Sequence, residues 1–276
     1  MKKMIRNIKV FDCTLREVGY QTGWYFDEDF YHTVYKYALG KYIDYIELGF
    51  FHNEQADPNH GIGRYCSKKN EELKRVFYNI KNVTKISAMR DIQRPLSELL
   101  PRKESIVDAV RILTRSHETD FLVLGRHIEE VQNLGYETFV NFTSAGYNSI
   151  EKNEQFVKFI KEQGVDTIYF ADTESVMTID YVTETIHLCK EYGIRVGMHF
   201  HNKTGMAEIL TDTAIRENVD YIDATHLGLG GKWRDGNLTF EYLLSKMGAV
   251  GGFEATQLKN ELIEQIVKYN EYSCAE

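Results

Sequence analysis

Eight short apolar runs, evenly spaced along the chain, limit what it can fold into more than any other feature. They are IKVFDCT from Ile8, YIDYIELGF from Tyr42, VTKISAM from Val83, VDAVRIL from Val107, YETFVNF from Tyr136, DTIYFAD from Asp166, IRVGMHF from Ile194 and DYIDATH from Asp220. Each is rich in β-branched or aromatic residues, and successive runs start about 25 to 40 residues apart, the repeat of a strand followed by a helix. Between them, stretches such as NEELKRVFYNIKN and YVTETIHLCKEYG carry apolar residues three and four apart, the period of an amphipathic helix. In EEVQNLGYE, IKEQGVD and CKEYGIR a glycine stands where a helix would end in the left-handed conformation. Eight such units with no break in composition predict an α/β fold: a closed (β/α)8 TIM barrel filling residues 1–276 as one domain. A dinucleotide-binding sheet would want G-x-G-x-x-G directly after the first strand, and TLREVGYQ lacks it.

Composition narrows function by exclusion. A net charge of -8 leaves no basic stripe for a phosphate backbone, so nucleic acid is not an expected partner. No run reaches the roughly 18 apolar residues of a membrane span. The start, MKKMIRNIKVFD, is basic but leads into a strand, not into a signal-peptide core. Cys13, Cys66, Cys189 and Cys274 form no C-x-x-C pair and read as reduced thiols of a cytoplasmic protein. Small molecules are the expected partners, and a homo-oligomer is left open.

Two stretches far apart in the chain carry candidate chemistry. In a (β/α)8 barrel the active site lies at the C-terminal ends of the strands, on the segments that follow. Arg16 and Glu17, in FDCTLREVGYQ, are expected on the loop just past strand one; His199 and His201, in GMHFHNKTG, end strand seven. Two residues apart on a strand, both imidazoles face the same way. Strands one and seven are both odd-numbered and separated only by strand eight, so their inward residues can share a layer. A carboxylate with two neutral imidazoles suits Mn, Fe, Co or Zn and leaves positions for water and substrate. The plainer reading of H-x-H is two polar residues at a strand end. The acidic residue at a matching barrel position and HNKTGMA opening a helix favour the metal site.

The same pieces resemble those of the metal-dependent aldolase and lyase barrels that include 4-hydroxy-2-oxovalerate aldolase, isopropylmalate synthase and hydroxymethylglutaryl-CoA lyase. DCTLRE is similar to that family's D-x-T-L-R-D, and YIELGF, ADTES, HFHNKTGMA and GLGGKWRDGN follow in the family's order from residue 12 to 237. The branch most like this chain is the hydroxy-oxo-acid aldolase group. The resemblance implies a carbon–carbon lyase acting on a 2-oxo acid and an aldehyde through a pyruvate-type enolate. Manganese is the implied ion, with Mg, Co or Zn as alternatives. It also implies roles for individual residues. Glu17, His199 and His201 would hold the metal, with Asn237 at its edge. Arg16 would neutralise the enolate oxygen, one such preorganised donor being worth about 3 to 4 kcal/mol in a transition state. Glu47 would orient Arg16 or the metal waters, and Asp172 and Thr173 would meet the substrate carboxylate or a water near it. Asp12 reads as an outer partner of a metal ligand or of Arg16.

Departures from the family pattern are local. Glu17 stands where the family has Asp and is one methylene longer; Val18 replaces a glycine; Tyr20 replaces a catalytic histidine. With an ordinary pKa near 10, Tyr20 serves as a base only if the metal and Arg16 lower it. Lys232, Trp233 and Arg234 lengthen the loop after strand eight, either as a solvated loop or as a contact for a larger acidic substrate. His52, His60 and His226 read as surface or packing residues, with proton relay as the functional alternative, and Arg64 reads as a surface ion pair. DTIYFAD offers no lysine for a Schiff-base aldolase. A Claisen-type acyl transferase and a non-catalytic metabolite-binding barrel are the competing readings. The chain ends about 40 residues after Asn237, which leaves no expected room for the long extension of the former or for a partner-docking domain.

Overall fold

The computed structural model describes residues 7–41, 43–231, 235–248 and 253–274. All eight apolar runs become parallel strands: β1 (Lys9–Asp12), β2 (Tyr45–Phe50), β3 (Lys85–Asp91), β4 (Ala109–Arg115), β5 (Glu137–Thr143), β6 (Thr167–Asp172), β7 (Arg195–Phe200) and β8 (Tyr221–Ala224). They pair in chain order, and β8 pairs with β1 to close the barrel. The fold is the (β/α)8 barrel the spacing predicts; Tyr42, the start of the second run, lies outside the described residues. Around it run α1 (Thr14–Thr22), α2 (Glu28–Gly40), α3 (Asn70–Phe77), α4 (Phe121–Asn133), α5 (Ile150–Glu162), α6 (Ile179–Glu191), α7 (Ala207–Arg216), α8 (Phe240–Lys246) and α9 (Phe253–Tyr269). Among the described residues no helix is long and apolar enough to cross a membrane.

Local chemistry sets where these helices begin and end. Asp120, Ser149, Thr178 and Thr239 accept hydrogen bonds from first-turn N–H groups of α4, α5, α6 and α8, satisfying donors that a helix start leaves open. Beyond α4, α5 and α6, Gly135, Gly164 and Gly193 take φ values of 85°, 68° and 67° and turn the chain towards the next strand.

Alternate residues of each strand point into the barrel. Near the N-terminal end Phe11, Tyr45, Phe139, Tyr169 and Tyr221 form a buried aromatic floor, Phe11 stacking on Tyr45 with centroids 4.1 Å apart. Gly197 leaves room for this floor: a Cβ there would lie 2.3 Å from the Tyr169 ring. Arg111 of β4 lies over the floor, its guanidinium 4.2 Å from the Tyr169 centroid and 4.8 Å from that of Phe11. The inward polar residues are therefore held at the C-terminal side of a closed apolar plug.

The β1–α1 junction differs from expectation. The strand stops at Asp12 and the helix starts at Thr14, so Arg16 and Glu17 stand on the first turn of a helix rather than on a loop. Asp12 makes the junction tight, its Oδ1 accepting from the Thr14 N–H at 2.9 Å and the Thr14 hydroxyl at 2.5 Å. Its other oxygen faces His226 Nε2 at 3.3 Å. Asp12 is thus tied to His226, not to a metal ligand or to Arg16 as the sequence suggested.

Burial opposes the charge on His226, but Asp12 outweighs it, Glu241 adds to that, and the pKa is pushed up to about 9. A folded-state pKa above the ordinary 6.5 stabilises the fold fully below pH 6.5, and that contribution is lost as the pH rises through about 9. The urea midpoint should accordingly fall across this window, by an amount on the order of 3 kcal/mol in stability. A His226→Gln chain should give a flat profile there; an unchanged slope would place its origin elsewhere.

Candidate active site

A cavity of about 680 Å³ opens at the C-terminal mouth of the barrel. Its lining includes Arg16, Glu17, His199 and His201 and also His52, Arg64 and Arg115. Glu17, His199 and His201 are all buried and bring one ligand atom each within 4.8 Å of one another. His199 Nε2 faces Glu17 Oε1 at 3.3 Å, yet neither atom makes a hydrogen bond among the described residues. Asn237 bridges His201 through the backbone, and its buried Oδ1 also has no hydrogen-bond partner among the described residues. The chain that brings it there must pass close to Glu17. At Gly230 (φ 108°) a Cβ would lie 2.5 Å from that of Glu17, so only glycine fits.

The other ring nitrogens settle how the imidazoles are turned. His199 Nδ1 lies 3.0 Å from Asp223 Oδ2, and His201 Nδ1 lies 3.2 Å from Asp235 Oδ1. A carboxylate there accepts a hydrogen bond from Nδ1–H and so leaves the Nε2 lone pair for a cation. Burial works against the Glu17 carboxylate, but the Arg16 guanidinium and His199 hold its pKa well below the usual range.

These groups belong to one closed ring of contacts. Arg16 Nη1 lies against Glu17 Oε1, and Arg16 Nε donates to Glu47 Oε1 at 2.6 Å. Arg111 Nη1 donates to Glu47 at 3.4 Å and Arg111 Nη2 to Asp223 Oδ2 at 2.7 Å. Asp223 meets His199, and His199 returns to Glu17. Burial opposes a charge on His199, but its contacts with Asp223 and Glu17 raise its pKa, so this corner of the ring favours a positive charge. Two guanidinium groups stand against three carboxylates, and a cation among Glu17, His199 and His201 would supply that charge in place of a proton on His199.

Cys13, His199 and Asp223 form a second close group, which suits an ion less well. Asp223 is already bound by Arg111, and burial, with Asp223 and Glu47 adding to it, pushes the Cys13 thiol up and away from the thiolate.

The remaining predicted residues divide. Tyr20 lines the cavity, with its ring 4.8 Å from Trp24 and 6.2 Å from Phe50. Burial, with Glu17 adding, pushes its pKa up to about 12, opposite to what a base requires. Thr173 lines the cavity and its hydroxyl accepts from the Ser144 N–H at 2.9 Å. Asp172 does not line it; its Oδ1 is used by the N–H groups of Val176 and Met177 at 2.8 and 3.0 Å, pinning the loop that carries Thr173. Arg64 does form an ion pair, donating to the partly exposed Asp57 at 2.8 Å, but on the cavity wall and largely buried, with its guanidinium 4.2 Å from the Trp24 ring centroid. Lys232, Trp233 and Arg234 lie outside the described residues.

Sequence reasoning missed Asp223, Arg111 and Asp57. The alternation of DYIDATH and VDAVRIL could have flagged the first two as inward charges at strand positions; Asp57, on an irregular loop, carried no such signal. Replacing Asp223→Asn, which keeps the shape but weakens the grip on His199, should lower manganese affinity about 10- to 100-fold. Titration followed by electron paramagnetic resonance measures this, and unchanged affinity would remove Asp223 from the site.

Residues 102–269 match the HMGL-like family model. The chain is 32% identical over 165 residues to 4-hydroxy-2-oxovalerate aldolase of Geobacillus genomosp. 3, covering 58% of this chain and 48% of that one. With the enzyme of the same name from Carboxydothermus hydrogenoformans it is 26% identical over 260 residues, covering 90% and 73%. It spans about half the length of the first of these relatives. The fold superposes on the N-terminal domain of a proposed aldolase from Bacteroides vulgatus with a TM-score of 0.78 at 24% identity, over 97% of this chain and 92% of that one.

Proposed function

From the premise that the chain belongs to the HMGL-like family, we propose that it is a divalent-metal-dependent lyase that cleaves or forms the carbon–carbon bond of a 4-hydroxy-2-oxo acid through a pyruvate-type enolate. In this reading residues 1–276 form one catalytic barrel, working in the cytoplasm on a small 2-oxo acid and an aldehyde. The observation that carries it is the convergence of Glu17, His199 and His201 beside Arg16.

Glu17, His199 and His201 would hold the ion, with Asn237 Oδ1 at its edge; manganese is the ion proposed, and Mg, Co and Zn are the alternatives. When bound, the cation supplies Lewis-acid stabilisation to the ketone oxygen of the substrate. Arg16 completes the stabilisation. Glu47 grips its Nε, while its buried Nη2 has no hydrogen-bond partner among the described residues and remains for the developing enolate oxygen. The Thr173 hydroxyl, on the cavity wall, would meet the substrate carboxylate, and Asp172 holds its loop in place.

The test is deuterium incorporation at the methyl group of pyruvate, with protein and manganese in heavy water, followed by proton NMR. The expected result is a loss of methyl signal that needs the metal and disappears in the His199→Ala and His201→Ala chains. Bound manganese without exchange would rule out pyruvate as the enolate donor.

A further inference from the structure

Cleavage of a 4-hydroxy-2-oxo acid needs a group to remove the hydroxyl proton, and Tyr20, with its raised pKa, is poorly suited to it. We infer that His52, held by Asp57, is that general base, an inference that rests on the proposed lyase function. His52 follows β2, the strand that carries Glu47, and lines the same cavity as Glu17 and His199. It is only 3% exposed, its Nδ1 lies 3.2 Å from Asp57 Oδ2, and its buried Nε2 has no hydrogen-bond partner among the described residues. That is the arrangement of a histidine on the cavity wall whose tautomer is set by a carboxylate and whose Nε2 lone pair is uncommitted.

Asp57 is itself firmly placed. Arg64 donates to its Oδ2 and His60 Nε2 lies 3.0 Å from its Oδ1. Phe50, whose ring centroid is 4.8 Å from that of His52, links it to the Tyr20–Trp24 group. The base so assigned stands on the segment after β2 and not at Tyr20 of α1.

The charged groups facing His52 are Asp57 on its own loop, Arg64 from the following turn and Asp91 at the end of β3. Burial, with Arg64 adding, lowers its pKa to about 4, so the imidazole is neutral and its lone pair free throughout the neutral range. In the forward step the hydroxyl proton passes to Nε2 and the C4–O bond becomes the aldehyde carbonyl. The C3–C4 bond breaks, and its electron pair forms the C2=C3 bond while the C2 carbonyl becomes the enolate oxygen facing Arg16. Asp57 balances the imidazolium so formed; the enolate takes a proton at C3 from water, and the hydroxide left behind takes the proton from Nε2, which restores the neutral imidazole. In the reverse direction the imidazolium returns its proton to the aldehyde oxygen. A base this weak contributes at the low end of the usual range, about 100-fold.

The experiment compares wild type with His52→Gln and Asp57→Asn, using 4-hydroxy-2-oxovalerate and manganese. His52→Gln should lose about 100-fold in kcat with KM and manganese affinity within about twofold, and should lose the acid limb of the rate profile near pH 4. Asp57→Asn, which keeps the imidazole, should lose less. A kcat within threefold of wild type, or a fall matched by loss of manganese affinity, overturns the inference. Nitrogen-15 NMR of the histidines reads the same point without turnover: a neutral Nδ1–H tautomer for His52 at pH 7 supports it, and an Nε2–H tautomer or an imidazolium overturns it. Wild-type exchange of the pyruvate methyl group, in which no 4-hydroxyl takes part, reports separately on the lyase reading.

Discussion

Replacing Arg16→Gln should lower kcat for cleavage about 100- to 1,000-fold and leave KM within a few-fold, because it removes a donor aimed at charge that develops only in the transition state. The argument rests on how Arg16 is held. Its Nε is committed to Glu47 at 2.6 Å and its Nη1 to Glu17, so only the buried Nη2, which has no hydrogen-bond partner among the described residues, is left for the enolate oxygen of the proposed reaction. Because Arg16 is already held in place and is itself buried, little reorganisation is needed and its charge is weakly screened. Arg16→Lys should rescue little, since one ammonium cannot hold Glu47 and reach the enolate oxygen together. Steady-state kinetics of the three chains with manganese at saturation decide the matter. A rise in KM at unchanged kcat would mean that Arg16 binds the ground state and plays no special part in the reaction.

Arg111→Met should be the most damaging single change to stability. Arg111 is wholly buried and is the common partner of Glu47 and Asp223, both also buried. Its removal takes from Asp223 its guanidinium partner, leaving only His199, and leaves Glu47 to Arg16 alone; breaking such a buried pair from one side costs about 3 to 5 kcal/mol. That is a large share of the roughly 5 to 15 kcal/mol by which a domain is stable. Both arms of the site should loosen together, since Glu47 holds Arg16 and Asp223 holds His199. Urea denaturation should show the stability loss, and manganese titration a weaker affinity in the fraction that folds. Adding Asp223→Asn to Arg111→Met should restore part of the stability by removing one stranded charge, without restoring manganese affinity. If the single variant were as stable as wild type, the ring of contacts would not be the framework of the site.

Much of this was legible in the chain alone. The eight apolar runs mark the strands because a buried parallel strand needs continuous β-branched and aromatic residues. Gly135, Gly164 and Gly193 mark helix ends because each takes a left-handed conformation. The two-residue spacing of His199 and His201 puts them on one face, and chain order in a closed barrel puts that face near the segment after β1. Glu17 meets them there, although from a helix and not a loop. His52 was read only as one of three histidines with proton relay as an alternative, and Asp57 was not legible, because both lie on an irregular segment whose backbone has no period to read.

What the sequence determined by itself is the set of elements and their order, since these follow from periodicity within each segment. Which polar residue faces the interior was decided by tertiary structure. Asp12 and Asp223 lie on the neighbouring strands β1 and β8, and either could have been the partner of a metal-binding histidine. The register pairs Phe11 with Asp223 and Asp12 with Ala224, so the residues that point inward are Phe11 and Asp223. Asp12 is turned out to His226, while Asp223 reaches His199 and Arg111. A shift of one residue in that pairing would exchange the two, and a single strand carries no record of the register on which its neighbour closes.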